Sequence, residues 1–371
     1  MREINIAKVI ITKRKEKGVT QDELAEYVGV SKASVSKWET GQSYPDITFL
    51  PQLATYFNIS IDELMGYSPQ MTKEDIRKLY HKFAAQFATE PFNKIITECR
   101  TIIKKYYSCF PLLLQMVILF VNHFMYAGHQ EQQEEILREA TELCIRVRTE
   151  SGNIWLTKKA IYMQSICYLT LKEPQSVLDL FGENIRPNLP EEPLISKAYQ
   201  LMGKTVKAKE VMQISIYQHL KMTLDSMLNY LLLCEDNMNK AEEILNRTLS
   251  LAKIFNMEKL DPNMVILLYA SGAKVYCING YYEKAVDMLD KYIDVCIKRF
   301  FPYILHGDSF FDSIDDWLSD MDLGAEAPRS KEVIKESMMR EILMNPVFSV
   351  LEEMPKYKSI IQKFKNFMEQ N

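Results

Sequence analysis

Helix stop and start signals crowd into residues 18–31, and they constrain the fold more than any other feature of the chain. Gly18 ends an amphipathic stretch in which Ile4, Ile6, Val9 and Ile10 make one apolar stripe. Thr20 is placed to cap a second helix, Gln21 to Val28, whose Leu24, Ala25 and Val28 recur at helical spacing and face inward. Gly29 supplies the sharp turn that follows, and Ser31 caps a third helix, Lys32 to Glu39. Val35 and Trp38 face in on that helix; Lys32, Ala33, Ser34, Ser36 and Lys37 face out. A fourth helix over about Ile47 to Phe57 and a fifth from near Ser60 complete a five-helix domain over residues 1–68. The short third helix, with its polar, cationic outer face, suits the major groove of DNA.

The charge balance gives that reading no help from a distance. The chain carries 45 Lys and Arg against 49 Asp and Glu, net −4, and residues 1–68 alone carry 8 against 9. DNA contact therefore rests on the local placement of a few cations. Asp22, Glu23 and Glu26 crowd the expected backbone contacts, and Lys8, Lys13, Arg14, Lys15 and Lys17 on the first helix are the cations available to offset them. Modest affinity per monomer and dependence on a homodimer are the expectation.

The run from Val19 to Pro45 closely resembles the phage-repressor-like (Cro/repressor, Xre-type) family. Thr20-Gln21, Leu24-Ala25, Gly29-Val30-Ser31, Ser34-Val35-Ser36, Trp38-Glu39, Gly41 and Pro45 carry the match, which continues through Leu53-Ala54 and Asp62-Glu63-Leu64. The resemblance implies a lambda-repressor-like fold in which Gln21 anchors a phosphate. It also implies that Lys32, Ala33 and Lys37 approach bases, that Ser31, Ser34 and Ser36 meet bases or backbone, and that Trp38 is core.

The rest of the chain scans as helix throughout, so the fold class expected is all-α. Gly66 to Thr72 makes the first joint, with Thr72 capping a new helix, and residues 69–73 read as a linker. Long amphipathic helices follow over residues 74–303, then an acidic irregular segment over 304–330 and closing helices over 331–371. Lys207-Ala208, Lys240-Ala241 and Lys284-Ala285 lie 33 and 44 residues apart, each opening a helix. A period near 34 with helix-turn-helix units is the mark of tetratricopeptide repeats (TPR). Tyr269, Ala273, Tyr276, Gly280, Tyr282, Ala285 and Leu289 make the best unit; one with Leu228, Asn229, Leu232 and Ala241, and one with Ser196, Tyr199, Gly203 and Ala208, are looser. A TPR-like α-solenoid is expected, though the uneven spacing and a short helix near 174–182 argue against a regular superhelix. Its concave face is the place for an extended peptide or a partner helix. Lys197, Gln200, Tyr230 and Lys274 would point into it, or equally belong to ordinary polar surface.

A phage-repressor-like domain followed by such repeats is similar in architecture to the peptide-pheromone-responsive regulators of Gram-positive bacteria. The resemblance implies a sequence-specific transcription regulator that binds a double-stranded operator as a homodimer and senses a short signalling peptide. The alternative keeps the repeats for dimerisation or protein docking, without a small ligand. The tail Asn345-Pro346-Val347-Phe348 through Ile360-Ile361 likewise looks like the closing segment of bacterial repeat-containing regulators.

Other chemistry is thin in the sequence. Cys99, Cys109, Cys144, Cys167, Cys234, Cys277 and Cys296 are scattered and read as small buried residues in a reducing cytosol. The five histidines stand alone, and no phosphate-cradling loop, nucleophile elbow or zinc-protease helix occurs, so neither an enzyme nor a cofactor or metal is expected. His306 and the aspartates from Asp308 to Asp322 offer a hard cation some ligands, but lack the glycine and closing glutamate of an EF-hand; a solvated acidic face is the better reading. Phe110 to Val121 is too short for a membrane span and reads as a buried helix, which with the polar N-terminus points to the cytoplasm and no membrane partner.

Overall fold

A computed structural model describes residues 5–66, 70–185, 187 and 189–370. Ile4 of the expected first stripe and Tyr67 to Pro69 of the expected joint lie outside the described residues. Among the described residues there is no strand, only an isolated bridge pairing Ile304 with Glu326. The chain divides into two compact units. One holds the described residues up to Ile76 with Ile96–Val121 and Glu134–Lys172; the other holds Arg77–Ile95, Asn122–Gln133 and the residues from Glu173 onward.

The first unit opens with α1 (Ile6–Lys17), α2 (Gln21–Val28), α3 (Lys32–Glu39), α4 (Leu50–Phe57) and α5 (Ile61–Leu64). Each boundary has a local cause. Gly18 and Gly29 stop α1 and α2 in the left-handed region. Thr20 and Ser31 cap α2 and α3 through their side chains, and Thr20 makes a full capping box with Glu23. The fourth helix differs from expectation at its start. Residues Ile47–Phe49 form a 3-10 turn capped by Asp46, and the α-helix begins at Leu50, with proline in its first turn. Ile6, Ile10, Leu24, Ala25, Val28, Val35, Trp38, Leu53, Ala54, Phe57 and Leu64 form one buried core. Trp38 is core, as the resemblance implies.

Five further helices start before Lys172: α6 (Lys73–Gln86), α7 (Phe92–Lys105), α8 (Phe110–His123), α9 (Gln130–Glu150) and α10 (Ile154–Thr170). Thr72 does cap α6, accepting from the Asp75 amide at 3.1 Å, so Lys73 is already helical rather than linker. In the first unit, α8 buries Leu112, Leu113, Leu114, Met116, Val117 and Phe120, and no helix among the described residues is long and apolar enough to cross a membrane. Arg100 bridges Glu135 at 3.0 Å and Glu139 at 2.9 Å, and the Arg146 guanidinium lies 3.7 Å from the Tyr107 ring centre.

The second unit continues with α11 (Pro174–Phe181), α12 (Glu192–Leu201), α13 (Thr205–Leu233), α14 (Met238–Ile254), α15 (Met257–Leu260), α16 (Pro262–Ile278) and α17 (Tyr282–Val295). The Lys-Ala pairs fall at the third and fourth residues of α13, α14 and α17, and Ala208, Ala241 and Ala285 are all buried where helices pack. Their spacing has two different origins. Between Lys207 and Lys240 lies the single 29-residue α13, which serves as second helix of the pair with α12 and first helix of the pair with α14. Between Lys240 and Lys284 lie two long helices and the short α15, which accounts for the longer interval. The best-matched unit is the hairpin α16–α17, turned at Gly280 with φ 77° and closed over Ala273, Tyr276, Ala285 and Leu289.

The acidic segment contains α18 (Asp315–Ser319), and α19 (Lys331–Leu343) and α20 (Pro355–Gln370) close the chain around a 3-10 stretch, Pro346–Leu351. That segment is not simply a solvated face. Phe311, Ile314 and Leu318 are buried, while the carboxylates staple the loop. Asp308 accepts from the amides of Phe310 and Phe311 at 2.9 and 3.0 Å, Asp315 accepts from Gly307 N–H at 2.6 Å, and Asp312 accepts from Gln213 at 2.7 Å. The cysteines are unpaired thiols, buried except for half-buried Cys234. Burial pushes the Cys99 and Cys296 thiols up to about 12, so they stay protonated.

Candidate nucleic-acid interface

The outer face of α3 is built on a buried polar brace. Arg14 of α1 donates from Nε to Glu39 Oε1 at 2.6 Å and from Nη2 to Glu39 Oε2 at 3.0 Å, with its remaining Nη1 on the Val19 carbonyl at 2.8 Å. Gln21 of α2 donates to the same Glu39 Oε2 at 2.7 Å. The Arg14 and Glu39 side chains are only 14% and 5% exposed, so three helices are tied at one carboxylate. Burial works to raise the Glu39 carboxyl, but the hydrogen bonds from Arg14 and Gln21 and the charges of Arg14 and Lys15 outweigh it and hold it below the usual carboxylate range. The same hydrogen bond holds the Arg14 guanidinium firmly charged.

This brace changes two sequence expectations. Arg14 does not offset the acidic residues of α2, because its guanidinium is spent on Glu39. Lys17 is also engaged, donating to the Tyr56 carbonyl at 2.5 Å and lying 4.3 Å from that ring's centre, and Lys13 pairs with Glu16 at 3.1 Å. Gln21, expected at a phosphate, is held by Glu39 through one amide N–H, which leaves its second N–H for an acceptor outside the domain.

The other expected contact residues are brought to one short surface. Ser31 and Ser34 share a hydroxyl–hydroxyl hydrogen bond of 2.9 Å at the helix start, and the Ser34 amide donates to Ser31 Oγ at 3.2 Å. Lys32, Ala33 and Lys37 are exposed and Ser36 half-buried. Lys32 is paired: its ammonium lies 2.7 Å from Asp22 Oδ2, and both side chains remain largely in solvent, 60% and 63% exposed. Among the described residues Lys37 has no ion-pair partner. Gln42, Ser43 and Tyr44 follow on the exposed loop after α3, and sequence reasoning passed over them. Their polar, non-periodic run reads as an ordinary turn.

In the second unit the four residues expected to face a ligand lie on three helices. Lys197 and Gln200 lie exposed on α12, where the lysine donates to the glutamine at 2.9 Å; Tyr230 is half-exposed on α13, and Lys274 is half-buried on α16. A cavity of 400 Å³ opens instead beside the middle of α13, with Tyr217, His219, Lys221, Met222 and Trp317 among its walls. Lys221 is neutralised there by buried Asp261 at 2.6 Å, which also accepts from the Tyr303 hydroxyl at 3.1 Å. None of the four expected residues lines it.

The N-terminal segment is thus a helix-turn-helix domain, with α2 and α3 joined at Gly29 on a common core. Residues 10–64 match the family described as Helix-turn-helix. The HTH-type transcriptional activator BcrR of Enterococcus faecalis is 34% identical over 74 residues, 18% of this chain and 36% of BcrR, so the chain spans about a third of the length of that curated relative. Solved structures similar to the chain include PlcR of Bacillus thuringiensis in complex with the peptide PapR7 and DNA, at 14% identity over 79% of this chain and 95% of that one, TM-score 0.29. Apo ComR of S. thermophilus matches at 14% identity over 79% and 94% of the two chains, TM-score 0.25.

Proposed function

We propose that the chain is a DNA-binding transcription regulator that reads an operator with α3. The observation that carries this is the exposed, cationic face of Lys32, Ala33 and Lys37, with half-buried Ser36 beside it, on a helix-turn-helix braced internally by Arg14, Gln21 and Glu39. Lys37 and Lys32 contact bases or phosphates, Ser31, Ser34 and Ser36 supply hydroxyls near the helix start, Ala33 admits close approach, and Gln21 uses its second amide N–H on a phosphate. The domain boundary is set at residue 68, with repeats over 74–303 and closing helices from 331. With net −4 on the chain, one monomer holds DNA weakly, and a homodimer on an inverted repeat supplies the affinity. The regulator acts in the cytoplasm, with no catalytic role and no cofactor. Selection of bound duplexes from a random pool tests the reading: an enriched inverted repeat is expected, and recovery of no sequence over background refutes it.

The second half of the proposal gives the helix pairs a sensory role, in which a short peptide seats against Lys197, Gln200, Tyr230 and Lys274. The support is the helical-hairpin series α12–α13, α13–α14 and α16–α17, whose stacked pairs are the kind of scaffold that presents an extended binding face. A specific observation favours the alternative of protein docking or dimerisation. Helices α11 and α12 bury no residue, yet α12 presents Leu194, Ile195 and Leu201 to solvent. Thermal shift with pools of short peptides separates the two: a raised Tm supports sensing, while concentration-dependent, peptide-insensitive DNA binding supports docking.

A further inference from the structure

Near the end of the second unit, cations gather that no carboxylate among the described residues approaches to ion-pair distance. Elsewhere in that unit Lys284, Lys356 and Lys363 sit 2.5 to 2.6 Å from Glu242, Asp287 and Asp294. Arg329, Lys331 and Lys335 form no ion pair among the described residues. Arg329 donates only to the Ser337 hydroxyl at 3.1 Å, and Lys335 only to the Met368 carbonyl at 3.3 Å. The Lys331 and Lys335 ammonium groups lie 5.8 and 6.0 Å from the centre of the same Phe301 ring. Burial and then the charge of Lys331 hold Lys335 below the usual lysine range, against the opposing charge of Glu332.

Beside this cluster opens a cavity of 310 Å³. Phe301, Tyr303 and Ile334 give it an apolar floor, and Arg329 and Lys331 stand on its wall with His81, whose Nε2 is occupied by the Leu323 carbonyl at 3.0 Å. Glu326 is the one carboxylate among the lining residues, exposed and without an ion pair. Apolar surface with a few convergent charged groups is the usual make-up of a small-molecule site, and a guanidinium beside an ammonium selects an anionic head.

We propose that this cavity binds a small organic anion, its carboxylate or phosphate head on Arg329 and Lys331 and its apolar body against Phe301 and Ile334. The site shares no residue with the DNA-reading face or with the peptide seat proposed above. Calorimetric titration of the full chain at low ionic strength tests it, using 3-phenylpropionate and phenyl phosphate as the two head groups and 3-phenylpropanamide as the neutral match. At least one anion is expected to bind, with the amide weaker by about tenfold or more, the loss of a charge-assisted hydrogen bond of about 1.5 to 3 kcal/mol. The pair of anions also tells carboxylate from phosphate. Arg329→Gln/Lys331→Gln is expected to weaken the anion by tenfold or more, and Lys365→Gln, on a different cavity, to leave it unchanged. Lys331→Gln alone, at an exposed position, gives the same direction should the double variant fold poorly. Equal binding of the amide, an unaffected Lys331→Gln variant, or no binding of either anion overturns the proposal.

Discussion

In the free domain Lys32 is already paired with Asp22, and on the proposed reading of α3 that makes Asp22 a brake on DNA binding. The ammonium must leave a carboxylate at 2.7 Å before it reaches a phosphate or base, and the carboxylate then faces the phosphates itself. With both side chains about 60% exposed, breaking the pair costs at most about 1 kcal/mol. A phosphate about 8 Å from the carboxylate adds about 0.5 kcal/mol of repulsion in water. Asp22→Asn removes both terms and should tighten binding by about 1 to 1.5 kcal/mol per monomer, about five- to tenfold. On a symmetric dimer site the gain compounds to about 25-fold or more. Because Lys32 is freed for a phosphate, the plot of log K against log salt should steepen by up to about 0.9 per monomer. Fluorescence anisotropy with a labelled operator, over a salt series, reads both quantities. Unchanged or weaker binding by Asp22→Asn, at an unchanged salt slope, refutes the reasoning.

Removing Glu39 from the brace should be among the most damaging single changes in the first unit. Glu39→Ala leaves Arg14 buried without its partner and should cost about 3 kcal/mol or more, while a double change of Arg14 to Met and Glu39 to Leu should cost less than Glu39→Ala alone, measured by thermal unfolding. Because the folded-state pKa of Glu39 is depressed, its contribution is complete above the unfolded value of about 4.3 and is lost as pH falls through the folded value. Glu39→Gln should therefore flatten the acid limb of the stability profile, and an unchanged limb contradicts the assignment. Ala285→Leu, at a fully buried crossing of α16 and α17, should lower stability by about 1 to 3 kcal/mol in chemical denaturation, with DNA contacts left intact.

The legible parts of the fold are those whose signals are local. Gly18, Thr20, Gly29 and Ser31 act on backbone within a few residues of themselves, so α1 to α3 and their core can be read directly from the sequence. The brace cannot. Glu39 lies 18 residues from Gln21 and 25 from Arg14, on a third helix, and no local signal in the sequence pairs it with either. The Asp22–Lys32 pair spans the turn in the same way and occupies a lysine proposed to contact DNA. In the repeats the Lys-Ala pairs mark helix starts correctly, but a constant period does not follow, because no breaker interrupts α13 and one helix takes the place of two. The cavity beside Tyr217 and Trp317 joins α13 to a segment about 100 residues later, which no periodicity announces.

The central claim is that α3 holds DNA through its exposed cations, and genome-wide mapping of bound sites tests it most directly, comparing the unaltered protein with Lys32→Ala/Lys37→Ala. The expected result is an inverted-repeat motif enriched by the first and lost by the second, with the variant's thermal unfolding unchanged. A motif retained by the variant, or no enriched site for the unaltered protein, would contradict it.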